Sequence, residues 1–247
     1  MPTTWEVLDT AAVALLFGAI FLFGGRVHPL RALVRDGRSL ISFAAGMSAA
    51  YVFVHAIPEL HEARRSFATS VSVSLRYEGM AIYFVALIGF LAFYGLDHLR
   101  AHLQHETAVE GQAGPAFRLH VGGFAAYVWV MAYLLVNNLD ETPVSTALYA
   151  VAIAVHFLTV DHALRDEHGA AYERIGRFLL AGMCVFGWGA GLLFAVPHYV
   201  LALLVAFISG AIIMNSTIME LPSEKDGRFL PFMTGGVVYG LILLPLG

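Results

Sequence analysis

The sequence predicts an all-α membrane protein, a polytopic bundle of eight transmembrane helices. Three observations predict it. Of the 247 residues, 59% are hydrophobic and 13% are charged, about half the ~25% charge of a soluble domain. The mean hydropathy is +0.73, which leaves too little polar surface to cover a water-soluble chain. The apolar residues also come in long unbroken runs rather than in alternation, the pattern of helices that cross ~30 Å of hydrocarbon with ~20 residues each. A net charge of −4 is unremarkable for such a chain, and no nucleic-acid partner is expected. The single Cys184 excludes an internal disulfide. The opening MPTTWEVLD carries Glu6 and Asp9 and no base, the wrong start for a cleaved signal peptide.

The spans fall at about 8–25, 40–58, 79–96, 121–139, 144–164, 178–196, 199–219 and 229–246, in one domain covering residues 1–247. Span one follows the acidic start. Span two is a small-residue run that closes in "HAIPELHE". Span three is apolar and ends in "LDHLRAHLQHE". Span four ends in "YLLVNNLDET" and is joined to span five by a short connection at Pro143. Span five runs into "VAIAVHFLTVDHALRDEHG". Span six has no acidic residue and carries Gly187 and Gly191 as Gly-x-x-x-Gly. Pro197 connects it to span seven, "FISGAIIMNSTIMELPSE", and span eight closes the chain. The small-residue ridges of spans two and six permit close helix contact and a homodimer. The long connections are 59–78 and 97–120, and "EGQAGPA" in the second reads as a flexible stretch.

Basic residues are enriched in cytoplasmic loops. Arg26, Arg31, Arg35, Arg38, Arg100, Arg118, Arg165, Arg174, Arg177, Lys225 and Arg228 fall on one side of the eight-span arrangement, and Arg64, Arg65 and Arg76 on the other. Eleven against three places both termini on the non-cytoplasmic side. A compact chain with no long loop fits a bacterial inner membrane. Spans two and seven also resemble one another. Phe43 and Gly46 match Phe207 and Gly210, and Pro58 and Pro222 each follow the glycine by twelve residues. An offset of five spans makes the two copies antiparallel, so spans 1–3 and 6–8 form an inverted repeat flanking spans 4–5. That is a frequent transporter plan, with the site near the midplane.

Ionisable groups inside hydrocarbon are costly and face a cavity or a partner. On span five, taking His156 as zero at about 100° per residue, Thr159, His162 and Asp166 lie near 300°, 240° and 280°, whereas Asp161 lies near 140°. His156 and His162 are separated by a rise of about 9 Å. One ion does not reach both, and the column reads as successive stations along a path. On span four, Asn137 and Asp140 share a face. Their oxygens, with imidazole nitrogen from His156, suit Zn²⁺, or less selectively Mn²⁺ or Fe²⁺. The alternative is that Asn137, Asn138 and Asp140 cap span four and begin the turn at Pro143. His55, Glu59, His61 and Glu62 form a candidate outer mouth for metal, and His98, His102 and His105, at i, i+4 and i+7, a candidate inner exit. Each set reads equally as a solvated helix end. Asn215 is a further buried amide, suited to bonding a neighbouring helix.

These residues resemble the ZIP (Zrt-, Irt-like) metal transporters along nearly the full chain. "AAGMSAAYVFVHAIPEL" is similar to that family's second span, a small-residue run closing in His-x-x-Pro-Glu. "FISGAIIMNSTIMELP" and "FMTGGVVYGLILL" are similar to its seventh and eighth. The resemblance implies movement of divalent metal, usually zinc, toward the cytoplasm through a paired site between spans four and five. The ion is then a substrate, with no organic cofactor. The metal motifs diverge. Span four of the family reads His-Asn-x-x-Asp-Gly; Asn137 and Asp140 match, and Val136 and Glu141 stand at the His and Gly positions. In span five His156 matches, and Phe157, Thr159 and Val160 replace the acidic, proline and acidic positions. Asn137, Asp140 and His156 carry over, with Asp161 and His162 as local replacements.

The leading expectation is therefore a non-enzymatic, zinc-preferring permease in a lipid bilayer. The first alternative is a non-transporting relative with a degenerate site. The second is an intramembrane metal-dependent hydrolase built from His55, His156, His162 and Asp161 with a water in the open zinc position.

Overall fold

A computed structural model describes residues 4–27, 37–71, 78–106, 113–137, 143–219 and 227–244. Among them there is no strand. The helices are α1 (Thr4–Phe23), α2 (Gly37–Tyr51), α3 (Ile57–Ser70), α4 (Glu78–Glu106), α5 (Pro115–Asn137), α6 (Pro143–Ala171), α7 (Arg177–Leu193), α8 (His198–Met214) and α9 (Phe229–Leu243). Wider π-helical turns occupy Val52–Ala56, Tyr172–Gly176 and Asn215–Met219. Six stretches are long and apolar enough to cross a membrane: Glu6–Arg26, Ile41–Ser70, Gly79–Leu103, Pro115–Asn137, Ile153–Leu193 and His198–Ile218. Phe229–Leu243 is apolar but shorter. Leu15, Phe53, Phe84, Phe186 and Leu241 look outward, as side chains covered by lipid do.

Several helices outrun the spans read from hydropathy. The second continues as α3 to Ser70, α4 reaches Glu106, α5 begins at Pro115, and α6 continues to Ala171. The apolar run measures the hydrocarbon thickness, whereas backbone hydrogen bonding carries a helix on into the polar region beyond it.

The chain divides into two compact units. The first comprises Met1–Arg26, Tyr94–Glu141 and Ile153–Ala195. In it α6 runs with α1, the Phe157 ring lying 5.1 Å from Phe17 and 5.2 Å from Phe21. The α5 helix runs against α6: Tyr127 meets His156, and His120 meets His168. The chain then reverses at Gly169, whose φ of 47° and ψ of −122° glycine adopts at little cost and other residues do not. Beyond the π-helical turn, α7 returns along α1. Arg177 Nη1 lies 3.5 Å from Leu22 O, and Trp188 Nε1 donates to Thr10 Oγ1 at 3.2 Å. The Gly-x-x-x-Gly ridge of α7 lies against α5. A Cβ on Gly187 would stand 2.9 Å from Ala132 Cβ, and one on Gly191 3.0 Å from Tyr133 O. That ridge is used within the chain, so it is not a face left open for a second copy.

The second unit comprises Val27–Phe93, Thr142–Ala152 and Val196–Gly247. Two helix pairs touch backbone to backbone there. Where α2 meets α9, a Cβ on Gly46 would stand 2.9 Å from the Phe232 carbonyl carbon, and one on Gly235 2.9 Å from that of Phe43. Where α8 meets α4, a Cβ on Gly210 would stand 2.7 Å from the Ala86 carbonyl carbon, and one on Gly89 2.9 Å from that of Phe207. The small-residue ridge of span two is thus also consumed internally. Ser48 Oγ and Ser216 Oγ, 2.8 Å apart, tie α2 to the turn after α8. Pro58 explains the turn at Val52–Ala56. It has no N–H, and its ring crowds the carbonyl four residues back. The ladder widens ahead of it, and Ile57 N–H donates to Val52 O.

Candidate metal centre

Asp161 is 1% exposed and both its oxygens are engaged. Arg165, one turn later, donates Nη2 to Oδ1 at 2.9 Å and to Oδ2 at 3.0 Å, and the Tyr172 hydroxyl donates to Oδ1 at 2.7 Å. Arg165 also pairs with Glu173 through Nη1, and its guanidinium lies 5.3 Å from the Tyr172 ring centroid. Arg177 pairs with the other oxygen of Glu173 at 3.2 Å. The network ties α6 to the π-helical turn and to the start of α7. Gly24 and Gly25, just after α1, leave room for it: a Cβ on Gly25 would stand 2.7 Å from Arg165 Nη1. A buried carboxylate needs such partners; Arg165 supplies one from α6 itself, and Tyr172, after the reversal at Gly169, supplies the other.

His156, 3% exposed, lies between α5 and α6. Its Nε2 is 2.8 Å from the Tyr127 hydroxyl, and its main-chain carbonyl accepts from Thr159 Oγ1 at 2.7 Å. His162 turns elsewhere, with Nε2 3.2 Å from Asp166 Oδ2. Asn137 bonds backbone: Nδ2 donates to Tyr133 O at 3.1 Å and to Gly191 O at 3.4 Å. Since His156 meets Tyr127, Asn137 stands ten residues, about 15 Å at ~1.5 Å per residue, farther along α5. The structure therefore does not bring Asn137 to His156. Nor does it bring His156, Asp161 and His162 to one point, as a three-residue zinc site would require. Asp140 lies outside the described residues.

The candidate mouth and exit groups are spread out. In the second unit His55 Nε2 is 3.7 Å from Glu59 Oε2, His61 Nδ1 is 3.4 Å from the Tyr83 hydroxyl, and Glu62 pairs with Arg65 at 2.9 Å on the surface. On α4, His98 stacks on Tyr94 at 6.4 Å and His102 is exposed; the His105 side chain lies outside the described residues. Arg100 points the other way around α4, to Asp97 at 2.6 Å and to Glu167.

Among the described residues, three metal-ligating side chains come together at His120, Glu167 and His168. One ligand atom from each lies within 4.8 Å of the others. His120 Nδ1 is 2.9 Å from His168 Nε2 and 3.7 Å from Glu167 Oε2. His120 is 2% exposed. The His168 ring meets Phe117 edge-on at 5.4 Å, and the His120 ring meets Phe124 at 5.1 Å. In the sequence Glu167 and His168 fall at the end of the stretch quoted for span five, and His120 stands one residue outside the apolar run of span four. The signal that finds it is its place on one face with Phe124 and Tyr127, at i, i+4 and i+7.

Comparison with models of protein families, with curated proteins and with solved structures finds no match for this chain.

Replacing Tyr127 by phenylalanine removes the hydroxyl from His156 and keeps the ring. The loss of that buried hydrogen bond is expected to cost about 1–3 kcal/mol, read as a lowered unfolding midpoint in detergent. An unchanged midpoint would show that this bond contributes nothing to stability.

Proposed function

We propose that the chain is a ZIP-like membrane permease that moves a divalent metal ion, zinc foremost, toward the cytoplasm along the interface of α5 and α6. The observation that carries this reading is His156: an imidazole buried at mid-span between those two helices, at the position where the family resemblance expects a ligand. Lipid-buried ionisable groups are functional by default.

The architecture supports it. Ile153–Leu193 is a 41-residue stretch broken at Gly169. Divided there, and with Phe229–Leu243 included, the six stretches would count as eight crossings. With that count, the arginine distribution would put both termini outside the cytoplasm. The inverted repeat gains support from matched contacts. Phe43 and Gly46 of α2 press on Gly235 and Phe232 of α9, as Phe207 and Gly210 of α8 press on Gly89 and Ala86 of α4. Both copies then widen into π-helical turns, at Val52–Ala56 and Asn215–Met219, a feature frequent at functional sites.

A non-transporting relative is the second reading. It is favoured by Asp161, whose oxygens are committed to Arg165 and Tyr172, and by Asn137, whose Nδ2 bonds backbone carbonyls. Zinc uptake into proteoliposomes separates the two. The permease takes up zinc, and His156→Ala lowers uptake about tenfold or more, whereas His162→Ala, on the surface pair with Asp166, changes it little. Folded wild-type protein that carries none of Zn²⁺, Fe²⁺ or Mn²⁺ leaves the non-transporting reading standing.

A further inference from the structure

We infer that His120, Glu167 and His168 form a second metal site, separate from His156, that takes a single divalent cation of the borderline class, zinc first. The donor set is two imidazole nitrogens and one carboxylate oxygen. Four ligands placed tetrahedrally at 2.0–2.1 Å from zinc are about 3.3–3.4 Å from one another. The separations of 2.9 Å between His120 Nδ1 and His168 Nε2 and 3.7 Å between His120 Nδ1 and Glu167 Oε2 bracket that value. With the third separation within 4.8 Å, side-chain adjustment brings all three onto one ion, and water fills the fourth position.

The surroundings are those of a built site. The two histidines come from different helices, α5 and α6. Each ring is held edge-on by a phenylalanine, Phe124 for His120 and Phe117 for His168. Glu167 is shared: Arg100 holds Oε1, and Arg100 is itself anchored on Asp97, so that Oε2 is the oxygen turned toward His120. Orientation of a ligating carboxylate by a fixed partner is how outer-shell groups tune metal sites. Mixed nitrogen and oxygen donors select zinc or ferrous iron over Mg²⁺ and Ca²⁺, which take oxygen ligands. His120 and Tyr127 are seven residues apart on α5, a rise of about 10 Å at ~1.5 Å per residue, and the Phe124 ring lies between them. An ion here does not touch His156.

The test reads binding and needs no transport. Full-length protein in detergent micelles is dialysed against ZnCl₂, with MgCl₂ as the comparison, and bound metal per chain is counted. The expected result is zinc binding without comparable magnesium binding. His168→Gln then removes one zinc per chain, Glu167→Gln weakens that zinc about 10–100-fold, and His156→Ala keeps it. Size-exclusion profiles check folding; if His168→Gln does not fold, the near-isosteric Glu167→Gln decides. Wild-type protein that binds no zinc, or zinc stoichiometry and affinity unchanged by Glu167→Gln and His168→Gln, overturns the site. Loss of uptake in His156→Ala with this zinc retained leaves it intact, so its failure and the failure of the permease reading are told apart.

Discussion

Asp161→Ala is expected to destabilise the folded protein by about 3–5 kcal/mol, the usual result of removing one partner from a buried ion pair. Arg165 would keep its charge, 10% exposed, with Glu173 and Arg177 on one side and no carboxylate where Asp161 now accepts two of its N–H groups. The Tyr172 hydroxyl would lose its acceptor as well. Arg165→Met is expected to cost a similar amount, since it strands the carboxylate instead. The double substitution Asp161→Leu with Arg165→Met should recover most of the loss, because apolar residues of similar volume replace buried ion pairs at little or no cost. Thermal unfolding of the wild type, Asp161→Leu, Arg165→Met and the double variant in one detergent measures the cycle, with Asp161→Ala beside it. Additive single losses, with no recovery in the double variant, would mean that the pair is not the unit. If Asp161→Ala left stability untouched and abolished zinc binding, Asp161 would be a metal ligand after all.

The second large effect is expected at the glycine crossings. Gly210→Ala and Gly46→Ala each place a methyl group against backbone carbonyl rather than against a side chain that can turn away. The helices must separate, and overpacking of this kind costs about 1–3 kcal/mol, occasionally more. Gly122 and Gly182 are the comparison: nothing lies within 4 Å of a Cβ at either, and alanine there is expected to be neutral or to stabilise by up to about 1 kcal/mol through helix propensity. Unfolding midpoints of the four variants check it. Equal behaviour of the two sets would dismiss the close approach, and a loss at Gly210 without one at Gly46 would remove the support that the matched contacts lend to the repeat.

Much of this was legible in the chain. Lipid rejects charge so strongly that length and composition alone mark the membrane class and the apolar spans. The small residues around Gly46 and Gly187 were legible as sites of close contact for the same reason: nothing larger lets two backbones meet. The polar stretch of span five was equally visible, but its partners were not. Arg165 stands four residues after Asp161, the spacing at which helix side chains pair, and that ion pair was readable in the sequence. Tyr172 and Glu173 reach Asp161 and Arg165 only because the chain doubles back at Gly169, and no local pattern announces which face they will meet. His120 lies outside span four because the apolar run begins at 121, while the helix itself begins at Pro115. The distance between Asn137 and His156 depends on how far α6 slides along α5, a register that neither helix encodes by itself.

The doubling-back at Gly169 also bears on how the chain enters the bilayer during synthesis. Within α6 alone, Asp161 and Arg165 pair only with one another. The hydroxyl of Tyr172 and the carboxylate of Glu173, which complete their bonding, sit on the segment that follows immediately. The stretch from α6 to the start of α7 is thus the smallest piece in which this ion pair has all its partners, and a ribosome-bound chain cut off before Tyr172 is expected to be a poorer substrate for membrane integration than one extended past Arg177.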